Sequence, residues 1–167
     1  FAGEVAAFLR ATRAAFQTLV AHAARLARRL CAQTPEFVLC HTDVHAGNLL
    51  IGADGVLYIV DWDAPLLAPK ERDLMFPGGA QGFRGHSPAQ EERLFYRGYG
   101  PAPIDRRALA YYRCERIIED IAVYCEQLLL STEGGADRAQ SLYYLRSNFL
   151  PGGTISQAYA ALPSSAS

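Results

Sequence analysis

Strand-forming sequence is confined to one short stretch of this chain, and that confinement limits the possible folds more than any other feature. Between Phe37 and Val60 lie three brief apolar runs, Phe37–Cys40, Leu49–Ile51 and Val56–Val60, rich in leucine, isoleucine and valine. The second and third are separated by a turn ending in Asp54-Gly55, a pair that readily takes the backbone conformations of a hairpin. A sandwich, a barrel or a wound parallel sheet needs many more strands than this. The expected class is therefore α+β and mainly helical, with a small β-hairpin platform formed by one minor sheet.

Helical patterning fills most of the remainder. From Glu4 to Leu30 there is no Gly or Pro, and Val5, Phe8, Leu9, Phe16, Leu19, Ala23, Leu26 and Leu30 recur at helical spacing. Gln33–Glu36, with Pro35, ends that helix. After Asp61 the prolines and glycines from Pro65 to Pro88 predict an irregular stretch with one helical turn around Glu71–Met75. Helices are predicted again over Ala89–Tyr99, over Asp105–Leu130 with Asp105 as N-cap, over Ala136–Leu150 after Gly134-Gly135, and over Thr154–Ala160. A frayed tail is expected from Pro163.

Composition narrows the function. A chain of 167 residues, half of them apolar, suits one domain with a sizeable core. Sixteen basic residues against 17 acidic ones give a net charge of −1, which supplies no field for gripping a nucleic acid. No apolar run reaches the roughly 18 residues of a membrane span, so no membrane partner is expected. Cys31, Cys40, Cys114 and Cys125 contain no C-x-x-C pair and are expected to be buried thiols of a cytoplasmic protein.

The segment that carries chemistry is His41-Thr-Asp43-Val-His45-Ala-Gly-Asn48, set between two strands and followed thirteen residues later by Asp61 at the end of the hairpin. A loop anchored by strands at both ends presents a carboxylate and a carboxamide, and the hairpin returns a second carboxylate beside them. Asp61 and the Asn48 amide oxygen are hard donors suited to Mg²⁺, which binds through one or two carboxylates together with substrate phosphates. Asp43 can take up the proton of an attacking hydroxyl. The set fits metal-assisted phosphoryl transfer. Two other readings stay open at this point. Asp43 and Asn48 can be turn formers only, which leaves Asp61 unexplained, and His41, Asp43 and His45 can be ligands of a hydrolytic metal.

With these residues in view, the sequence resembles the protein-kinase-like small-molecule phosphotransferases, the aminoglycoside and choline kinase superfamily. The specific part is Val38 to Phe76, including Leu39-Cys-His-Thr-Asp-Val-His-Ala-Gly-Asn-Leu-Leu and Ile59-Val-Asp-Trp-Asp, and within the superfamily it looks most like spectinomycin phosphotransferases. The resemblance implies Asp43 as catalytic base, Asn48 and Asp61 as Mg²⁺ and ATP contacts, and Asp73 as a brace for the catalytic loop. It puts His45 where protein kinases carry a lysine facing the transferred phosphate, and so implies an assisting role there. The partner it implies is a small hydroxyl acceptor, cationic like an aminocyclitol, with choline-like alcohols as the alternative and a non-catalytic ligand-binding lobe as another.

Other residues receive expectations of their own. His41 is expected to be structural, Trp62 to pack in the core, and Asp63, Glu115 and Glu119 to be acids available to a cationic acceptor. Arg116, pairing with Asp120 at i,i+4, is expected to mark a solvated helix face. The Gly78–Gly85 stretch is expected to be a mobile loop near substrate. Lys70 is the sole lysine, and it follows the metal Asp. The chain contains neither a glycine-rich lid nor a lysine on a preceding strand, and it opens at Phe1 directly into a helical pattern. The resemblance therefore implies that residues 1–167 are the C-terminal catalytic and substrate-binding lobe, with the N-terminal nucleotide-binding lobe of the same polypeptide lying outside them and little activity expected of the lobe alone.

Overall fold

The structure, a computed structural model, describes residues 1–79, 85–131, 135 and 137–160. The expectations placed on residues 80–84, on Gly134 and Ala136, and on the tail from Pro163 lie outside the described residues. The first helix, α1, runs from Ala2 to Leu30. It is followed by strand β1 (Val38–Cys40), a 3-10 turn over Ala46–Asn48, and strands β2 (Leu49–Ile51), β3 (Leu57–Ile59) and β4 (Leu66–Ala68). The short helix α2 (Glu71–Leu74) leads to α3 (Pro88–Tyr99), α4 (Arg106–Leu129), α5 (Asp137–Ser147) and α6 (Thr154–Ala160). The expected class, mainly helical with a small amount of sheet, is what the chain adopts.

The strands form two separate two-stranded ladders instead of one small sheet. β2 and β3 make the expected hairpin, with Leu50 opposite Tyr58, and Gly55 takes the positive φ of 78° that its turn requires. β1 pairs with β4, Cys40 opposite Leu66 and Val38 opposite Ala68. This second ladder escapes sequence reading because Pro65 and Pro69 flank a run of only three apolar residues and its partner lies 28 residues upstream. Such a pairing is specified by long-range packing and not by local propensity.

α3 and α4 start where their capping chemistry directs. The Asp105 carboxylate accepts from the backbone N–H groups of Arg107 and Ala108 at the head of α4, and Ser87 with Gln90 forms a reciprocal capping box on α3. The main core joins Val5, Leu19 and Ala23 of α1 to Cys114, Ile117, Ile121 and Leu128 of α4, with Leu142, Leu145, Ile155 and Ala158 closing it from α5 and α6. A smaller core of Leu74, Met75, Phe76, Ala108, Leu109 and Tyr112 seats the segment after α2 on the first turns of α4. α4 is thus shared by both cores, and it carries the smaller one up to the loop between β1 and β2. None of the described helices is long and apolar enough to cross a membrane.

The cysteines divide. Cys40 and Cys114 are buried, and burial pushes the Cys114 thiol up to about 11. Cys31 is exposed just beyond the end of α1, against the expectation that all four would be inside. Trp62 is also a correction. It is 47% exposed and lies over the His41 ring at 4.5 Å, its indole N–H donating to the Ile59 carbonyl. A tryptophan three residues past a strand whose own side chains are solvated has no core to enter.

Candidate active site

The loop from His41 to Asn48 is held by buried polar contacts at several points. Asp73, at the middle of α2, accepts the backbone N–H of His41 at 2.8 Å on one carboxylate oxygen and that of Thr42 at 2.7 Å on the other. Those two bonds hold Thr42 at a φ of 77°, a conformation costly for a β-branched residue. Residue His41 is 3% exposed. Its Nδ1 accepts from the Asp43 N–H at 3.3 Å, which leaves the proton on Nε2 to be donated to the Val60 carbonyl at 2.8 Å. Both ring nitrogens are therefore occupied, so His41 orients the loop and is not a metal ligand. Among the described residues no group of three His, Cys, Asp or Glu side chains is arranged to hold a metal ion.

Asp43, His45 and Asn48 come together. Asn48, 8% exposed, donates from its amide nitrogen to the Asp43 carbonyl at 2.9 Å and, more distantly, to Asp43 Oδ2 at 3.4 Å. Its amide oxygen is thereby left as an acceptor. His45 Nδ1 accepts from the Gly47 N–H at 2.9 Å, so the other ring nitrogen, which lies 3.6 Å from Asp43 Oδ2, carries the proton. This local bond also explains why residue 47 is glycine: a Cβ there would sit 2.7 Å from the imidazole.

Asp61 reaches the same place through its neighbour. The Val60 N–H donates to the Asn48 carbonyl at 3.0 Å and the Val60 carbonyl accepts from His41, so the residue before Asp61 is fastened to the loop on both sides. Asp61 has a φ of 68°, a strained conformation for a non-glycine residue of the kind found at functional sites. Its exposed carboxylate makes no hydrogen bond or ion pair among the described residues. The Asp61 carboxylate and the Asn48 amide oxygen, neither engaged by another described residue, are hard oxygen donors of the kind Mg²⁺ takes. Asp63 follows two residues later, exposed and likewise unpaired among the described residues.

The acids of α4 separate from one another. Glu115 pairs with Arg72 and accepts the Tyr111 hydroxyl at 2.7 Å, so its charge is already engaged. Burial, and then the bond to Glu115, holds the Tyr111 phenol well above its ordinary range. Glu119 lies on the exposed face of the same helix. Arg116 does not mark an ordinary solvated face. Its guanidinium contacts Asp120 at 2.9 Å, as the i,i+4 spacing suggests, and also Asp43 Oδ1 at 2.8 Å. That second contact was not legible in the sequence, because 73 positions separate the partners and nothing local joins them.

A polar loop that brings Asp43, His45 and Asn48 together, with a short hairpin leading to Asp61 behind it, is accompanied by clear likenesses to known proteins. The model of the phosphotransferase enzyme family matches residues 2–112, more than half of the chain, and the chain belongs to that family. Among solved structures it is similar to spectinomycin phosphotransferase APH(9)-Ia in complex with ADP and spectinomycin, at 40% sequence identity and a TM-score of 0.81 over 96% of this chain. It is similar also to the AMP-bound complex of that enzyme, at 40% identity and a TM-score of 0.79 over 95% of this chain. Each match covers 48% of the solved protein, so the chain spans about half the length of these relatives.

Proposed function

We propose that this chain is the catalytic and acceptor-binding lobe of an ATP-dependent O-phosphotransferase that acts on a hydroxyl of an aminocyclitol or aminoglycoside of the spectinomycin type. The observation that carries the reading is the fastening of Asp43, Asn48 and the Asp61 backbone to one loop by His41, Asp73 and Val60. In this reading Asp43 Oδ2 accepts the hydrogen bond of the acceptor hydroxyl and takes its proton as the oxygen bonds to the terminal phosphorus of ATP, the bond from that phosphorus to the β-phosphate oxygen breaks, and ADP leaves. His45, with its proton on the nitrogen beside Asp43, donates to a phosphoryl oxygen. Asn48 and Asp61 would hold Mg²⁺, which neutralises the nucleotide phosphates. Asp63 and Glu119, both exposed and unpaired among the described residues, are the acids that would meet the acceptor's ammonium groups. The nucleotide would be gripped from the other side by an N-terminal lobe of the same polypeptide, packed on the β2–β3 hairpin, and the isolated chain would then have little activity.

The test is ADP release by the complete polypeptide, offered spectinomycin, other aminoglycosides and choline in turn. Turnover with spectinomycin or a close relative supports the proposal. Turnover with choline alone moves the acceptor to another alcohol, and drug binding without ATP consumption establishes a binding lobe instead.

A further inference from the structure

We infer that Arg116 is a positioning residue for phosphoryl transfer: anchored behind by Asp120, it holds one oxygen of Asp43 and so presents the other to the acceptor hydroxyl. The inference rests on the proposal that Asp43 is the base.

The distances distinguish the two carboxylate oxygens. Asp43 Oδ1 is shielded from solvent and lies 2.8 Å from Arg116 Nη1, an ion pair whose alignment is not that of a hydrogen bond. Oδ2 has only the Asn48 amide at 3.4 Å and the His45 ring at 3.6 Å, both beyond an ordinary hydrogen bond. One oxygen is held and the other is available. Arg116 also has little freedom to leave. Its Nε faces Asp120 at 2.9 Å, and its guanidinium lies over the Phe76 ring at 5.9 Å.

The helix that carries Arg116 is itself secured next to the loop. Arg113, 7% exposed, donates to the Met75 carbonyl at 2.9 Å and to the Pro77 carbonyl at 2.7 Å, while Glu115 takes Arg72. Arg72 adjoins Asp73, so α4 grips the segment that braces the loop as well as the loop's own carboxylate. Stability alone is a weak reason for the Arg116–Asp43 contact, because ion pairs with side chains 25% and 32% exposed contribute little. Asp120 fits the same assignment. Burial pushes its carboxyl up and the neighbouring Arg116 opposes that shift.

The experiment compares R116M, R116K, D120N and D43N in the complete polypeptide, with ADP release as the readout and thermal melting as a check on folding. R116M is expected to lower kcat about 10- to 100-fold, the range of a slightly misplaced catalytic group, with acceptor KM little changed. R116K should recover part of the loss, added guanidinium should partly rescue R116M, and D120N should show a smaller fall, again in kcat. Wild-type kcat in R116M, or a loss confined to KM, overturns the inference. Should R116M fail to fold, D120N decides by the same split, since it preserves side-chain volume. Loss of transfer in D43N together with full activity in R116M overturns the role of Arg116 alone; full activity in D43N overturns the base assignment and this inference with it.

Discussion

The loop from His41 to Asn48 and the hairpin that follows it are neighbours in sequence and opposites in construction. The loop is polar, yet its key groups are buried and paired: His41 and Asn48 are 3% and 8% exposed, and Asp73 secures two successive backbone amides. The hairpin is apolar, yet Leu50, Ile51, Leu57, Tyr58 and Ile59 are all exposed, Ile51 at 77%. Polar groups inside and apolar groups outside invert the usual arrangement. The inversion teaches that this chain fixes the backbone of its polar loop by internal contacts, while the hairpin presents a surface suited to a further packing partner. Contiguous exposed apolar area of that kind marks an interaction site, and the proposed N-terminal lobe is the partner that fits it.

That contrast can be broken most decisively at the loop. Asp43→Ala is expected to reduce phosphate transfer by the complete polypeptide about 10²- to 10⁴-fold, the usual contribution of a general base, measured as ADP release at saturating acceptor. Asp73→Ala removes two charge-assisted bonds and frees Thr42 from its strained φ. It should lower the unfolding free energy by about 3 kcal/mol, read from urea denaturation of this chain. A smaller loss would show that the loop's conformation is held without its brace.

A pH series sharpens the same side of the comparison. Burial raises the Asp120 carboxyl above its ordinary value of 3.8, so the folded protein binds that proton more readily than the unfolded chain. Stability should therefore fall as pH rises from 3.8 through the higher folded value, and the slope over that interval should disappear in Asp120→Asn. The smallest effect belongs to the hairpin. Ile51→Thr and Leu57→Thr should each change the stability of this chain by less than about 0.5 kcal/mol, as exposed positions do. A distinctly larger loss in the complete polypeptide would show that this face is covered there.

Much of this molecule was legible locally. The helical spacing of Val5 to Leu30, the Asp54-Gly55 turn, the Asp105 cap and the run from His41 to Asn48 each depend on residues within a few positions of one another, and each forms where expected. The bracing role implied for Asp73 and the structural role of His41 were also readable, since the resemblance covers both segments. What escaped reading has a common character. The β1–β4 ladder, the exposure of Trp62 and Cys31, the engagement of Glu115 by Arg72 and the reach of Arg116 to Asp43 all depend on where one element docks against another.

By itself, then, the sequence determined the helices, the hairpin and the candidate loop from His41 to Asn48, because periodicity, capping and turn formation are short-range effects, and its motifs carried the family to which the chain belongs. Only the tertiary structure decided which charges meet across elements. Spacing defines the Arg116–Asp120 pair within α4 but no partner outside it, and the packing of Leu109, Tyr112 and Ile117 turns that face so that Glu115 finds Arg72 and Arg116 finds Asp43.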